Sequence, residues 1–252
     1  MDFYAKSDKG LRREENQDVF ITCEPIEGML LLIVCDGMGG ANGGKVASEL
    51  CGESFAKTID ERINGSENER QIRFGFDKSA IPEILREGVN AANTAVHKKA
   101  TRSKKLAGMG TTLVSALIYG NTLYGVNVGD SRLYSVKDGR LLQLSHDHSY
   151  VQTLVDLGTL TPEQARKNPH KNIITKAIGI GKEVEPDIFS KELNGEEYLL
   201  LCSDGLSGYV EEDRILDVIL EKKEPSEICS SLIDEANANG GGDNITLCVI
   251  RL

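Results

Sequence analysis

The sequence is short of the features that mark several large protein classes. Its six cysteines (Cys23, Cys35, Cys51, Cys202, Cys229 and Cys248) include no Cys-x-x-Cys pair and no cluster. Structural zinc requires grouped thiolate or imidazole ligands, so a zinc module is excluded. Cys35, Cys202, Cys229 and Cys248 fall in apolar or amphipathic segments, where free cysteine behaves as a small buried hydrophobe. A reduced, cytoplasmic setting is therefore expected. Positive charge is also scarce: 29 Lys and Arg stand against 39 Asp and Glu, a formal net charge of −10. Basic residues gather only between His97 and Lys105, at the end of a helix-like segment where cations suit the helix dipole. Binding driven by neutralising nucleic-acid phosphates is not expected. Long apolar runs are missing too. The longest, Met29 to Cys35, is far too short to span a bilayer, and no basic patch and apolar run open the chain as a signal peptide would. No repeat, low-complexity tract or linker divides the sequence, so one domain over residues 1–252 is expected, as a monomer.

What is present has an ordinary globular balance, with 40% hydrophobic and 27% charged residues. Runs rich in β-branched and aromatic residues predict strands at Asp18 to Cys23, Leu30 to Cys35, Thr111 to Tyr119 and Thr122 to Val128. Further strands are predicted at Arg132 to Val136, Tyr198 to Cys202 and Ile245 to Leu252. Gly120-Asn121 and Asp138-Gly139 are hairpin signals and argue for antiparallel pairing. Helical patterns cover Val46 to Ile59, Ile81 to Arg102 and Pro225 to Asn239, and Thr161-Pro162-Glu163-Gln164 reads as a capping box. Hairpin strands with a few separate helices predict an α+β fold, and the strand count favours a central antiparallel β-sandwich flanked by α-helices.

One pattern carries chemistry. An aspartate follows directly on an apolar run at Asp36, Asp130 and Asp204, while Asp18 and Asp243 stand just before strands. A lone Asp-Gly is a turn signal and nothing more. Repeated five times, the pattern aims carboxylates at one edge of a sheet, where they repel one another unless cations lie among them. Oxygen ligands of this kind suit Mg²⁺ or Mn²⁺. Glycine beside an aspartate lets backbone or substrate approach closely.

The ordered set Arg13-Glu14-Glu15-Asn16-Gln17-Asp18, Asp36-Gly37-Met38-Gly39-Gly40, Met109-Gly110-Thr111-Thr112 and Val128-Gly129-Asp130-Ser131-Arg132 is specific. It continues through Asp147-His148-Ser149, Ser203-Asp204-Gly205-Leu206 and Gly242-Asp243-Asn244. The chain thereby resembles the type 2C, metal-dependent (PPM) protein phosphatases in their compact bacterial form, over almost its whole length. The resemblance implies a sandwich with helices on both outer faces and hydrolysis of phosphoserine and phosphothreonine by a hydroxide held between two metal ions. It implies that Asp36 bridges two Mn²⁺ or Mg²⁺ ions, that the Gly37 carbonyl joins the second ion, and that Asp204 and Asp243 complete the first. Asp130 with Asp204 resembles the pair that holds a weaker third ion, Asp18 a carboxylate acting through water, and Arg13 the arginine that grips phosphate. The segment 149–175 resembles the family's flap. Partners implied are phosphorylated proteins and, in a bacterium, an opposing Ser/Thr kinase.

Two positions depart from many eukaryotic relatives. Met38 stands where they have a histidine proposed as general acid, and Gln17 where some have a glutamate ligand. Bacterial members commonly share both changes. His97, His146, His148 and His170 offer no clear substitute; structural roles are expected for them. The competing readings are a catalytically dead module that recognises a phosphoprotein, against which the retention of Asp36, Asp204 and Asp243 speaks, and a phosphatase narrowed to one regulatory switch protein.

Overall fold

The computed structural model describes residues 1–65 and 77–252. In chain order the strands are β1 (Asp2–Asp8), β2 (Asp18–Cys23), β3 (Met29–Met38), β4 (Gly110–Thr111), β5 (Leu113–Tyr119), β6 (Thr122–Val128), β7 (Arg132–Lys137), β8 (Arg140–Gln143), β9 (Asp187–Glu192), β10 (Tyr198–Cys202) and β11 (Ile245–Arg251). The α-helices are α1 (Gly40–Asn64), α2 (Ile81–Arg102), α3 (Tyr150–Asp156), α4 (Pro162–Arg166), α5 (Asp204–Ser207), α6 (Glu212–Lys222) and α7 (Pro225–Ala238). One sheet runs β1-β11-β10-β7-β8 and the other β2-β3-β5-β6-β9, with β4 also on β3. Every pairing is antiparallel.

Side-chain alternation makes four layers. On β3, Leu30, Leu32 and Val34 join Val114, Leu199, Leu201, Cys248 and Ile250 between the sheets. Met29, Leu31, Ile33 and Cys35 point the other way, onto Phe55 and Ile59 of α1 and Leu85, Val89 and Val96 of α2. Leu200, Cys202, Leu247 and Val249 pack likewise on α6 and α7 through Ile215, Ile219, Ile228 and Leu232. The expected α-β-β-α sandwich is the observed architecture.

The predicted limits match at β2, β6, β10 and α2. The Thr161 capping box forms with Gln164, and both hairpins turn where expected, Asp138 and Gly139 taking φ of 50° and 69°. Two limits differ informatively. Helix α1 starts at Gly40, ahead of the predicted Val46, and runs through Gly43 and Gly44. Glycine weakens a helix, but here it permits contact: a Cβ at Gly44 would lie 2.6 Å from the Gly37 carbonyl oxygen. The predicted strand from Thr111 is broken at Thr112. The Asp36 N–H donates to the Thr112 hydroxyl (2.9 Å), while the Thr112 N–H still donates to the Asp36 carbonyl (2.9 Å). A side chain thus takes one place in the ladder without shifting its register. Strands β1 and β9 and helices α3, α5 and α6 lie outside the predicted set.

Candidate metal centre

The strand directions bring the singled-out residues to one pole. β2 begins where β3 ends, and β10 ends where β11 and β7 begin. The turn Gly129–Ser131 crosses from β6 of one sheet to β7 of the other. Asp18, Asp36, Asp130, Asp204 and Asp243 all lie at these ends. Arg13, Asp36, Gly37, Asp130, Asp204 and Asp243 line one cleft of about 640 Å³, together with Met38 and Thr112. Asp18 does not line it. It is 7% exposed and stands directly across the ladder from Asp36.

Like charges opposite one another on paired strands repel, and here Asp18 is also withdrawn from water while Asp36 is partly buried. Burial, then the charges of Asp18 and Asp204, pushes the Asp36 carboxyl well above its ordinary value. Burial raises Asp18 to about 7, against hydrogen bonds that favour its charged form. Asp130 is held well above its ordinary value by burial and then by Asp204, and Asp204 is raised by burial and then by Asp243. Asp243 accepts from Arg13 Nη2 at 2.7 Å through Oδ2 and from the Asn244 N–H at 2.9 Å through Oδ1. That guanidinium is held above its ordinary range chiefly by its hydrogen bond to Asp243.

As the side chains stand, no group of three or more His, Cys, Asp or Glu among the described residues is gathered tightly enough to hold a metal ion. The donor set still fits a hard divalent cation. Oδ1 of Asp18 and Oδ1 of Asp204 are buried with no hydrogen-bond partner. Buried carboxylate oxygens lacking donors require a cation or a proton to offset their desolvation. All the side chains concerned are carboxylates, the hard oxygen donors that Mg²⁺ and Mn²⁺ prefer.

A layer of neutral polar groups positions these acids, and the sequence does not announce it. Ser203 Oγ donates to Asp18 Oδ2 at 2.7 Å and accepts from the Thr246 N–H at 3.0 Å. Asn244 accepts from the Gln17 N–H and donates to the carbonyls of Lys9 and Glu15, fastening the loop that carries Arg13. Thr112 Oγ1 lies 2.7 Å from Ser131 Oγ and also accepts from the Asp36 N–H, so it ties the Asp36 segment to the Asp130 turn. The signal available in the sequence was Thr111-Thr112 and Ser131 beside the acidic motifs, which by itself suggests only strand entry. Thr112→Val keeps the shape and deletes both hydroxyl bonds. It is expected to lower stability by about 1–3 kcal/mol, the cost of stranding buried partners, and to raise the Mn²⁺ concentration needed for half-maximal activity; Thr112→Ser restores both. Thermal denaturation and a Mn²⁺ titration measure the two effects.

Three of the four histidines make polar contacts to backbone or carboxylate neighbours. His97 Nδ1 meets the Gly179 carbonyl, His146 pairs with Asp156, and none of the four lines the cleft. Buried His148 accepts from the Gly129 N–H through Nδ1 at 3.1 Å and faces Asp187 through Nε2 at 3.2 Å, which fixes the turn before Asp130. Burial lowers its pKa, in keeping with a neutral ring that accepts at Nδ1. Asn172 and Ile174 reach the cleft from segment 149–175.

Known proteins share both sequence and shape. Residues 11–230 match the family described as Protein phosphatase 2C. The chain is 38% identical over 247 residues to the serine/threonine protein phosphatase PstP of Mycobacterium tuberculosis, covering 98% of this chain and 44% of PstP, so it spans less than half of that protein. It is 34% identical over 246 residues to the serine/threonine phosphatase stp of Listeria welshimeri, covering 98% of this chain and 94% of that one. A crystal structure of the PstP catalytic domain in complex with two manganese ions superposes with a TM-score of 0.83 at 36% identity, over 98% of this chain and 96% of that one. With its match across most of its length and its sandwich shared with these enzymes, the chain belongs to the protein phosphatase 2C family.

Proposed function

We propose that this chain is a metal-dependent protein serine/threonine phosphatase, hydrolysing phosphoserine and phosphothreonine in protein substrates. The observation that carries the reading is the gathering of Asp36, Asp130, Asp204 and Asp243 with Arg13 on one cleft, and Asp18 behind it. In this reading Asp36, the Gly37 carbonyl, Asp204 and Asp243 hold two Mn²⁺ or Mg²⁺ ions, and Asp130 with Asp204 holds a weaker third. When bound, such ions make water nucleophilic near neutral pH and offset the charge of the phosphoryl oxygens. Asp18, buried behind Asp36, orders water at that site and supplies negative charge to it.

Arg13 is the exposed cation at the mouth. Its guanidinium presents a planar fork that matches two phosphate oxygens, and the short surface link to Asp243 leaves it free to exchange partners. Water attacks phosphorus, the bond from phosphorus to the Ser or Thr oxygen breaks, and inorganic phosphate and the alcohol leave. Met38 lines the cleft and has no proton to give, so water protonates the departing oxygen. Segment 149–175, anchored at its ends by Thr175 N–H to the His148 carbonyl and by the Ser149–Ile174 bridge, acts as a flap over substrate. In this reading the whole sequence is one domain and works as a cytoplasmic monomer against a Ser/Thr kinase. No helix among the described residues is long and apolar enough to cross a membrane.

The test is hydrolysis of a phosphothreonine peptide, titrated with Mn²⁺ and with Mg²⁺. Activity is expected to require the cation, to vanish with a chelator and to return on its restoration. Folded protein that stays inactive at saturating cation would favour the reading of a module that binds phosphoproteins without cleaving them.

A further inference from the structure

The basic residues at the end of α2 form an exposed ridge without acidic partners among the described residues. No Asp or Glu occurs between Glu87 and Asp130. Lys98, Lys99 and Arg102 on the last turns of α2, and Lys104 and Lys105 in the 3₁₀ turn Lys104–Leu106, are all exposed. Among the described residues none of these five side chains makes an ion pair or hydrogen bond. Other cations do sit against carboxylates, among them Arg86 on Glu185, Arg132 on Asp147, Arg214 on Glu235, and Arg251 on Asp2 and Glu224. The dipole at a helix C-terminus accounts for Lys99 and Arg102, but it fades within the last turn. Lys104 and Lys105 lie beyond it.

A short segment joins the ridge to the cleft wall. Two turns, Leu106 N–H to the Ser103 carbonyl and Met109 N–H to the Leu106 carbonyl, lead from it to Met109. Met109 packs on the cleft wall so closely that a Cβ on Gly39 would lie 2.8 Å from its Cα. Lys105 is three residues from Gly108, so their Cα atoms are at most roughly 11 Å apart. A hollow of about 280 Å³ beside the ridge is lined by Lys104, Thr101, His97 and Ile180.

We propose that this ridge is a subsite for a second anionic group of the phosphoprotein substrate, a carboxylate or a further phosphoryl group roughly three to six residues from the one hydrolysed, at about 3.3 Å per extended residue. The proposal rests on the phosphatase reading and names the substrate class for it. A short anionic segment fits better than an extended anionic surface, because the chain as a whole carries −10 and such a surface would meet repulsion beyond the ridge. The field of five clustered cations reaches about 8–10 Å at physiological salt, enough to select among peptides already held at the cleft.

The test measures kcat and KM for three phosphothreonine peptides: one with neutral flanks, one with Asp and Glu placed three to six residues away on either side, and one with a non-hydrolysable phosphonate there. Wild type is compared with the exposed double variant Lys104→Ala/Lys105→Ala. Wild type is expected to show KM about tenfold lower for one or both anionic peptides. The variant is expected to lose that preference, with kcat and the neutral peptide unchanged; which peptide is preferred tells carboxylate from phosphoryl. Equal KM for all three peptides in wild type, or a preference that survives in the variant, overturns the subsite. So does a variant whose sole defect is weaker binding to anionic lipid vesicles, since that makes the ridge a membrane contact. Failure of wild type to hydrolyse any peptide overturns the phosphatase reading itself, whereas hydrolysis without preference overturns the subsite alone.

Discussion

Replacing Asp36 by asparagine is expected to abolish hydrolysis, by at least about 10³-fold, while raising the thermal stability of the chelated protein. Loss of preorganised charge stabilisation costs on this scale, and Asp36 has four acidic neighbours: Asp18 across the ladder, then Asp204, Asp130 and Asp243. The same crowding makes the charged form costly in the fold when no cation is bound. Asparagine has nearly the same shape and removes one charge. Its gain should be on the order of a few kcal/mol, or several degrees in melting temperature for a chain of this size. The pH dependence has a definite sign. The folded-state pKa of Asp18 is about 7 against an ordinary 3.8, so between those values the folded state binds more protons than the unfolded chain. Stability therefore falls as pH rises from about 4 through 7. Chelated wild type should melt higher at pH 5.5 than at pH 8, the difference should shrink in Asp36→Asn, and excess Mn²⁺ should remove it by binding the folded state at high pH. A chelated variant no more stable than wild type at pH 8 would show that these carboxylates do not repel as the ladder places them.

Much of this centre was legible in the sequence because a buried strand leaves a strong local trace. Leu30 to Cys35 and Tyr198 to Cys202 are continuous apolar runs, so the strands can be located and the acids just beyond their ends assigned to a pole of the sandwich. The polar edge strands left no such trace. β1, with Lys6, Ser7 and Asp8, and β9, with Ser190, Lys191 and Glu192, have no fully buried side chain, so periodicity could not single them out. The same holds for the link between Thr112 and Ser131. It joins residues 19 apart through a ladder break that depends on which hydroxyl the Asp36 N–H finds. Arg13 was legible through its motif alone; its pairing with Asp243, 230 positions away, belongs to tertiary structure. The basic ridge was visible as composition, but only the fold shows that the segment following it, at Gly108 and Met109, packs on Gly39 of the cleft wall.

The glycines after Asp36 and Asp204 yield the second large effect. Their sequence context reads as turns, yet neither Gly37 nor Gly205 has a positive φ. Both are glycine because backbone passes where a side chain would start. A Cβ on Gly205 would lie 1.9 Å from the Asn244 carbonyl oxygen and 2.8 Å from its carbon; one on Gly37 would lie 2.2 Å from the Gly44 carbonyl oxygen. These neighbours are main chain and cannot swing aside as a side-chain tip can. Gly205→Ala must therefore push α5 away from the start of β11, which parts Asp204 from Asp243. We expect a loss of about 3 kcal/mol or more, at the upper end for overpacking, and a fall in activity of at least about 10²-fold, since displacements near 1 Å cost that much in a preorganised site. Excess Mn²⁺ should recover part of the activity, because cation binding favours the compact arrangement. Gly40→Ala is the matched control, having open space around its Cβ and no positive φ; it should leave stability unchanged or slightly raised. Denaturant midpoints and Mn²⁺ titrations of the two variants decide the matter. If Gly205→Ala were as stable and active as Gly40→Ala, α5 and β11 would have room to separate without disturbing the acids, and the spacing of Asp204 and Asp243 would not depend on that glycine.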